Sequence, residues 1–120
     1  MSSLSLAYAD PPYLGYGKFY DEHHAESRVW DSIDAHADLI ARLKRDYSDG
    51  WALSMTSGNL RDILPLCPPE ARIAAWVKPF ASFKKNVSPA YTWEPVIFVR
   101  TRKHNITEAT VRDHLAANIA

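Results

Sequence analysis

The stretch Leu4-Ser5-Leu6-Ala7-Tyr8-Ala9-Asp10-Pro11-Pro12-Tyr13 sets the interpretation of the rest of the chain. Residues 4–9 are mostly small or apolar and predict a short strand. The two prolines after them lack backbone N–H groups, so pairing in a central strand must end there. The stretch therefore predicts a strand that leads directly into an Asp-Pro-Pro-Tyr motif.

The remaining sequence predicts alternating strands and helices. Further strands are expected at 51–56, 72–77 and 92–101, helices at 34–47, 59–66 and 107–120, and polar loops at 13–27 and 78–91. We expect Asp34 to cap the first helix, Asp49-Gly50 to end it, and Pro95 to place its strand at a sheet edge or a bulge. These elements predict an α/β fold with about four strands in a mixed sheet and flanking helices.

The last helix is predicted from Thr107 and Thr110, which resemble a capping box, and from Val111, Leu115 and Ile119 at helical spacing. It reaches the end of the sequence without a glycine or a basic cap. We therefore expect the chain to be cut within this helix.

Length and composition predict one domain over residues 1–120, since 120 residues with 47% apolar side chains can form one core. Fourteen basic residues balance fourteen acidic ones, which excludes a global field that attracts nucleic acid or anionic lipid. Cys67 is the single cysteine, so no internal disulfide is expected, and a buried apolar role is favoured. The sequence shows no secretory signal or membrane span, and an intracellular location is expected.

The Asp-Pro-Pro-Tyr motif suits chemistry on an exocyclic amine of a nucleobase. The lone pair of such an amine is delocalised into the ring, and two fixed hydrogen-bond acceptors can draw the nitrogen toward sp3 geometry. The carboxylate of Asp10 and the carbonyl of Pro11 would be those acceptors, Pro12 a rigid support, and Tyr13 a stacking face for a flipped base. The alternative is that the motif is only a stiff turn after a strand.

The stretch Leu6-Ala7-Tyr8-Ala9-Asp10-Pro11-Pro12-Tyr13 resembles the catalytic motif of amino-methyltransferases, and the wider chain resembles phage-type and prophage-type DNA N6-adenine methyltransferases. The matching stretches outside the motif are Tyr20 to His24, Asp49-Gly50-Trp51-Ala52-Leu53-Ser54, Leu64-Pro65-Leu66-Cys67-Pro68-Pro69, Ala75-Trp76-Val77 and Trp93-Glu94-Pro95-Val96-Ile97. This resemblance covers nearly the whole chain.

The resemblance implies part of a Rossmann-like methyltransferase sheet, S-adenosyl-L-methionine as methyl donor, a flipped adenine of DNA as substrate, and the cytoplasm of a bacterial or phage-infected cell. It also implies a permuted order, in which a glycine-rich donor-binding motif follows the catalytic one. None of Gly15, Gly17, Gly50 and Gly58 is placed to serve as that motif. We therefore expect donor binding to need a missing half, and the strand edge beside residues 4–9 to dimerise or bind a partner subunit.

The loop 13–27 and the start of the last strand hold further candidate substrate-binding residues: Lys18, His23, His24, Trp93 and Glu94. His23 and His24 are adjacent and have no ligand cluster around them, so no metal site is predicted. The two histidines would contact DNA or gate the site; the alternative is a solvated polar loop. Glu94 would contact substrate or donor without a catalytic role.

Basic residues near two loop or strand ends predict a strip that contacts phosphates, with Tyr91 and Trp93 interleaved. They are Lys78, Lys84, Lys85, Arg100, Arg102 and Lys103. An ordinary soluble surface is the alternative. Trp30, Trp51 and Trp76 flank or lie in apolar segments, which favours packing over base stacking.

Two functions are thus predicted from the sequence. The first is methyl transfer to the N6 amine of adenine in DNA, with the N4 amine of cytosine left open. The second is a catalytically inactive methyltransferase remnant that binds DNA or a protein partner.

Overall fold

A computed structural model describes residues 5–11, 32–79, 85–100 and 111–117. These residues form a mixed α/β structure with one five-stranded sheet. The elements are β1 (Leu6–Ala9), α1 (Ile33–Asp46), β2 (Gly50–Ser54), α2 (Leu60–Ile63), β3 (Arg72–Val77), β4 (Trp93–Arg100) and β5 (His114–Ala116). The predicted helix 59–66 is a single α-helical turn, α2, flanked by the 3₁₀ turns Ser57–Asn59 and Leu64–Leu66.

The sheet has the strand order β1-β2-β4-β3-β5. β1 and β2 pair in parallel, as do β3 and β5, whereas β4 is antiparallel to both of its neighbours. The carboxyl ends of four strands and the start of β4 consequently meet along one side of the sheet, called the carboxyl edge below. The opposite side, where β1 and β2 begin, is the amino edge.

The N-cap of helix α1 lies two residues before the predicted cap, Asp34. The hydroxyl of Ser32 accepts a hydrogen bond from the N–H of Asp34 at 3.2 Å, so Ser32 is the N-cap and the prediction for Asp34 was wrong. Asp34 instead lies in the first turn, where its negative carboxylate interacts favourably with the positive end of the helix dipole. The basic last turn, with Lys44 and Arg45, is confirmed.

The core lies between α1, α2 and one face of the sheet. It is built from side chains that are at most 5% exposed: Ile40, Leu43, Trp51, Leu53, Met55, Ile63, Ile97 and Val99. Because side chains alternate along a strand, the register places Tyr8, Ser54 and Glu94 on the other face, called the second face below. This alternation decides which polar groups can meet at the carboxyl edge.

Gly50 begins β2 in a conformation that other residues rarely adopt. Its φ is +145°, and a Cβ placed there would lie 2.8 Å from the carbonyl oxygen of Val99. The predicted reversal at Asp49-Gly50 is confirmed, and the glycine is needed because β4 passes so close to it.

The sequence predicted Pro95 at a sheet edge or a bulge, and the edge position is wrong. The proline is buried in β4, between β2 and β3, and its carbonyl accepts from the N–H of Met55 at 3.3 Å. In a strand, the backbone nitrogen and carbonyl of one residue point to the same side. Both groups of Pro95 therefore face Met55, which follows the last residue of β2, and the N–H group that proline lacks would point there. The central position is tolerated because the β2–β4 pairing has already finished there.

The predicted C-terminal helix is wrong for residues 111–117. His114–Ala116 form β5, and its ends are fixed by bonds from the N–H of Ala75 to the carbonyl of Asp113 (2.9 Å) and from the N–H of Ala117 to that of Val77 (3.0 Å). Val111 and Leu115, the supposed apolar face, are 84% and 62% exposed. Thr107, Thr110 and Ile119 lie outside the described residues.

Candidate functional site at the carboxyl edge

Asp10 and Pro11 follow the last residue of β1 directly and so lie at the carboxyl edge. Asp10 is exposed and Pro11 is half-buried, so a ligand can reach the carboxylate. In open α/β sheets this edge is where ligands usually bind. The other predicted residues of the motif and its loop, Pro12, Tyr13, Lys18, His23 and His24, lie outside the described residues.

A hydrogen bond between two hydroxyls joins β1 to β2 beside Asp10. The hydroxyl of Tyr8 bonds that of Ser54, the last residue of β2, and Ser54 is only 3% exposed. Sequence analysis missed both residues. The sequence does contain a pattern that could have indicated Tyr8: side chains two residues apart in a strand lie on the same face, so Tyr8 and Asp10 share one side of the chain.

The carboxyl group of Asp10 is electrostatically coupled to Glu94, two strands away. Partial burial, and after it the negative charge of Glu94, raise the pKa of Asp10 above its ordinary value. Glu94 was predicted to contact a ligand. The structure places its charge where it acts on the predicted catalytic carboxylate.

Lys78 balances the charge of Glu94. Its ammonium lies 2.8 Å from the Glu94 carboxylate and 5.2 Å from the centre of the Trp76 ring, and the two side chains of the ion pair are 22% and 17% exposed. The N–H of Lys78 also donates to the carbonyl of Thr92 at 2.7 Å. Main chain and side chain together hold the end of β3 against the start of β4.

The described members of the predicted phosphate strip do not lie together on one surface. Lys78 follows β3 at the carboxyl edge, whereas Arg100 ends β4 opposite Gly50 at the amino edge. Trp93 and Arg100 are the two ends of β4, seven residue steps apart in an extended strand, or about 23 Å. Lys85 is exposed near the carboxyl edge, and Lys84, Arg102 and Lys103 lie outside the described residues.

Trp93 and Glu94, predicted together, belong to opposite faces of β4. Glu94 lies on the second face with Lys78, whereas Trp93 shares the helix-bearing side with Pro95 and Ile97. Trp93 is 38% exposed and lines an open cleft of about 590 Å³ with Ser57 and the segment 86–92. The carboxyl edge therefore carries an acidic cluster and a separate aromatic cleft.

No protein-family model matches this chain, and no curated protein matches it. Its function is consequently inferred from the groups that meet at the carboxyl edge. Among the described residues, no group of three or more His, Cys, Asp and Glu side chains could hold a metal ion. Within the same ranges, no helix is long and apolar enough to cross a membrane.

The tryptophan predictions can be checked at two positions. Trp51 is 5% exposed in the core, which confirms packing, and Trp76 is half-buried on the second face. The indole N–H of Trp76 is buried and has no acceptor among the described residues. Trp30 lies outside them.

Two of the four glycines, Gly50 and Gly58, lie among the described residues. Gly50 lies at the amino edge, and the backbone carbonyl of Val99 fills the space beside its Cα. Gly58 follows β2, but a Cβ there would meet nothing within 4 Å, so it lines no close-fitting cradle. A glycine-rich turn for S-adenosylmethionine is thus not found in the ranges that the structure covers.

Proposed function

We propose that this chain takes part in methyl transfer from S-adenosyl-L-methionine to the N6 amine of a flipped adenine in DNA. The observation that carries the proposal is the position of Asp10 and Pro11 immediately after β1 at the carboxyl edge, where Asp10 is exposed. The parallel unit β1-α1-β2 supports a Rossmann-like half of a methyltransferase sheet.

Asp10 would accept one N–H of the amine through its carboxylate, and Pro11 would accept the other through its backbone carbonyl. Both acceptors sit on rigid supports, since β1 is held by its pairing with β2 and by the bond between Tyr8 and Ser54. Preorganised acceptors of this kind favour the geometry in which the nitrogen lone pair is directed out of the ring. Transfer would break the S–CH3 bond of the bound donor as the N6–CH3 bond forms, with S-adenosylhomocysteine as the leaving group and one amine proton passing to solvent.

The Asp10 carboxyl must be ionised to accept this hydrogen bond. Burial and Glu94 both oppose its ionisation, and the ion pair of Glu94 with Lys78 limits the second effect. Lys78 and Glu94 therefore act on the amine only through Asp10. Donor binding in this proposal depends on groups outside the described residues or on a partner chain.

The proposal is tested by transfer of a labelled methyl group from S-adenosylmethionine to duplex DNA. We expect transfer to fall about 100-fold or more in Asp10→Ala, because an electrostatic acceptor of the transition state is lost. Asp38→Ala removes an exposed carboxylate of α1 and should leave transfer unchanged. DNA that lacks adenine separates N6 from N4 transfer.

Absence of transfer by the purified full chain, both alone and with a second chain that supplies a donor-binding methyltransferase half, at donor concentrations that saturate known methyltransferases, would contradict the enzymatic proposal. Retained binding of DNA in the same sample would then support the second prediction from the sequence, a binding module without activity.

A further inference from the structure

The cleft beside Trp93 has no role in the acceptor chemistry of Asp10. It is bounded by Ser57, which begins the 3₁₀ turn after β2, and by the segment 86–93, which leads into β4. Its volume of about 590 Å³ is within the range of small-molecule sites. We infer that this cleft is a stacking site for an unpaired nucleobase that neighbours the target base.

Two aromatic side chains provide the stacking surface. Tyr91 is 59% exposed and Trp93 is 38% exposed, whereas Trp51 is buried in the core. Burial of an aromatic ring is favourable, so rings left open in a concave site are available to a ligand. Aromatic rings stack on any base, which makes such a site tolerant of sequence.

The protein backbone that carries Trp93 is held in place by hydrogen bonds to β3. Trp93 pairs with Val77 in the β3–β4 ladder, and the carbonyl of Thr92 accepts from the N–H of Lys78 at 2.7 Å. The Trp93 backbone therefore keeps its position without a ligand. A preformed surface loses less conformational entropy on binding than one that must become ordered.

The lining of the cleft carries no acidic group that would repel a nucleic-acid strand. The lining residues Ser57 and 86–93 include no Asp, Glu, Lys or Arg, and the exposed Lys85 precedes this segment. The nearest acid in sequence, Glu94, lies on the second face, where Lys78 balances it. Asn86, Ser88 and Thr92 offer hydrogen-bonding groups at the rim.

The location defines the ligand further. Trp93 begins β4 and Asp10 follows β1, and β2 separates these two strands, so about 10 Å lies between them. The cleft opens on the helix-bearing side and Asp10 lies on the second face, so a DNA strand that reaches both must cross the carboxyl edge. One strand of DNA can span that distance within a few nucleotides. This inference rests on the proposed function for the identity of the strand, but its test does not require methyl transfer.

The test uses fluorescence anisotropy with the full chain and two labelled single-stranded probes of equal length, one of deoxyadenosine and one of abasic sites. We expect the chain to bind the deoxyadenosine probe more tightly, and Tyr91→Leu or Trp93→Leu to lower that affinity about fivefold or more. Trp93→Phe keeps a ring and should retain most of it. Tyr47→Leu is the matched control, because Tyr47 is 37% exposed at the amino edge.

Equal binding of the two probes, no binding of either, or full affinity in both Leu variants would overturn the inference. Tyr91→Leu alters a mostly exposed side chain and keeps the test valid if Trp93→Leu does not fold. If the base preference is present but methyl transfer is absent, the proposed function fails and the stacking site stands. If transfer depends on Asp10 while the Leu variants bind normally, the stacking site fails alone.

Discussion

The ammonium of Lys78 and the carboxylate of Glu94 form a half-buried ion pair at 2.8 Å across the β3–β4 ladder. Removing one partner of such a pair costs more than removing both, because the remaining charge loses its compensation. We expect Lys78→Met to lower the free energy of unfolding by about 1–3 kcal/mol, and the double variant with Glu94→Gln to recover part of that loss.

Urea denaturation measures this effect. Arg45→Met is the control, since the side chains of the Arg45–Asp46 pair are 67% and 51% exposed and solvent screens their interaction, so this pair should contribute much less to stability. Equal midpoints for Lys78→Met and Arg45→Met would show that the Lys78 pair adds no stability.

The pKa of Asp10 should respond to Glu94. Glu94→Gln removes the second cause of the raised pKa, so the pKa should fall, while remaining above the ordinary value because burial persists. A carbon-detected NMR titration of the Asp10 carboxyl measures it, with the exposed Glu70→Gln as control. If methyl transfer requires the Asp10 carboxylate, the acid limb of its pH profile should move to lower pH in Glu94→Gln.

The same shift predicts a pH dependence of stability. A raised pKa means that the folded chain holds the proton of Asp10 more tightly than the unfolded chain does. The resulting stabilisation is complete below the pKa of the unfolded state and is lost as the pH rises through the folded pKa. Asp10→Asn should therefore gain stability relative to the wild type as the pH rises, and a constant difference across that range would contradict the shift.

Gly50→Ala should destabilise the fold by about 1–3 kcal/mol, since an alanine at φ +145° is strained and its Cβ would lie 2.8 Å from the Val99 carbonyl. Gly58→Ala places its Cβ in open space and should change stability by less than about 1 kcal/mol. Thermal unfolding of the two variants decides the comparison. A similar loss in both would mean that the approach of β4 to Gly50 is not constraining.

Burial raises the pKa of the Cys67 thiol to about 11, and its Sγ lies 3.6 Å from the carbonyl oxygen of Ile63. The thiolate is the reactive form, so alkylation at pH 8 should be slow in the folded chain and fast in urea, and the folded rate should increase as the pH approaches 11. Rapid modification of the folded protein at pH 8 would show that the thiol is more accessible than its partial burial implies.

Local patterns in the sequence predicted much of the fold. The strand 72–77 was placed at the observed bounds, and the first helix was placed within one residue of its observed limits at Ile33 and Asp46. Both segments have patterns whose structural consequence is local. Ser32 was overlooked as the cap because Asp34, two residues later, is an equally good capping type.

The errors arose where distant parts of the chain decide the structure. Val111 and Leu115 have helical spacing, but the free side of β3 offers Ala75 and Val77 as partners, and a short strand forms there. Pro95 predicted a sheet edge. It is tolerated in the central strand β4 because β2 ends before the position where the N–H of residue 95 would be needed. The coupling of Glu94 to Asp10 depends on a strand order that no local pattern contains.

β4 is synthesised after both of the strands that it separates. Until residues 93–100 have left the ribosome, β2 and β3 have no shared neighbour, and Ile97 and Val99 are missing from the core. The growing chain therefore presents β1-α1-β2 and β3 as parts that β4 has yet to join. When β4 inserts, it forms long-range contacts with β2 and β3 at once. Contacts between distant parts of a chain form slowly, so the folding rate of the sheet depends on this strand.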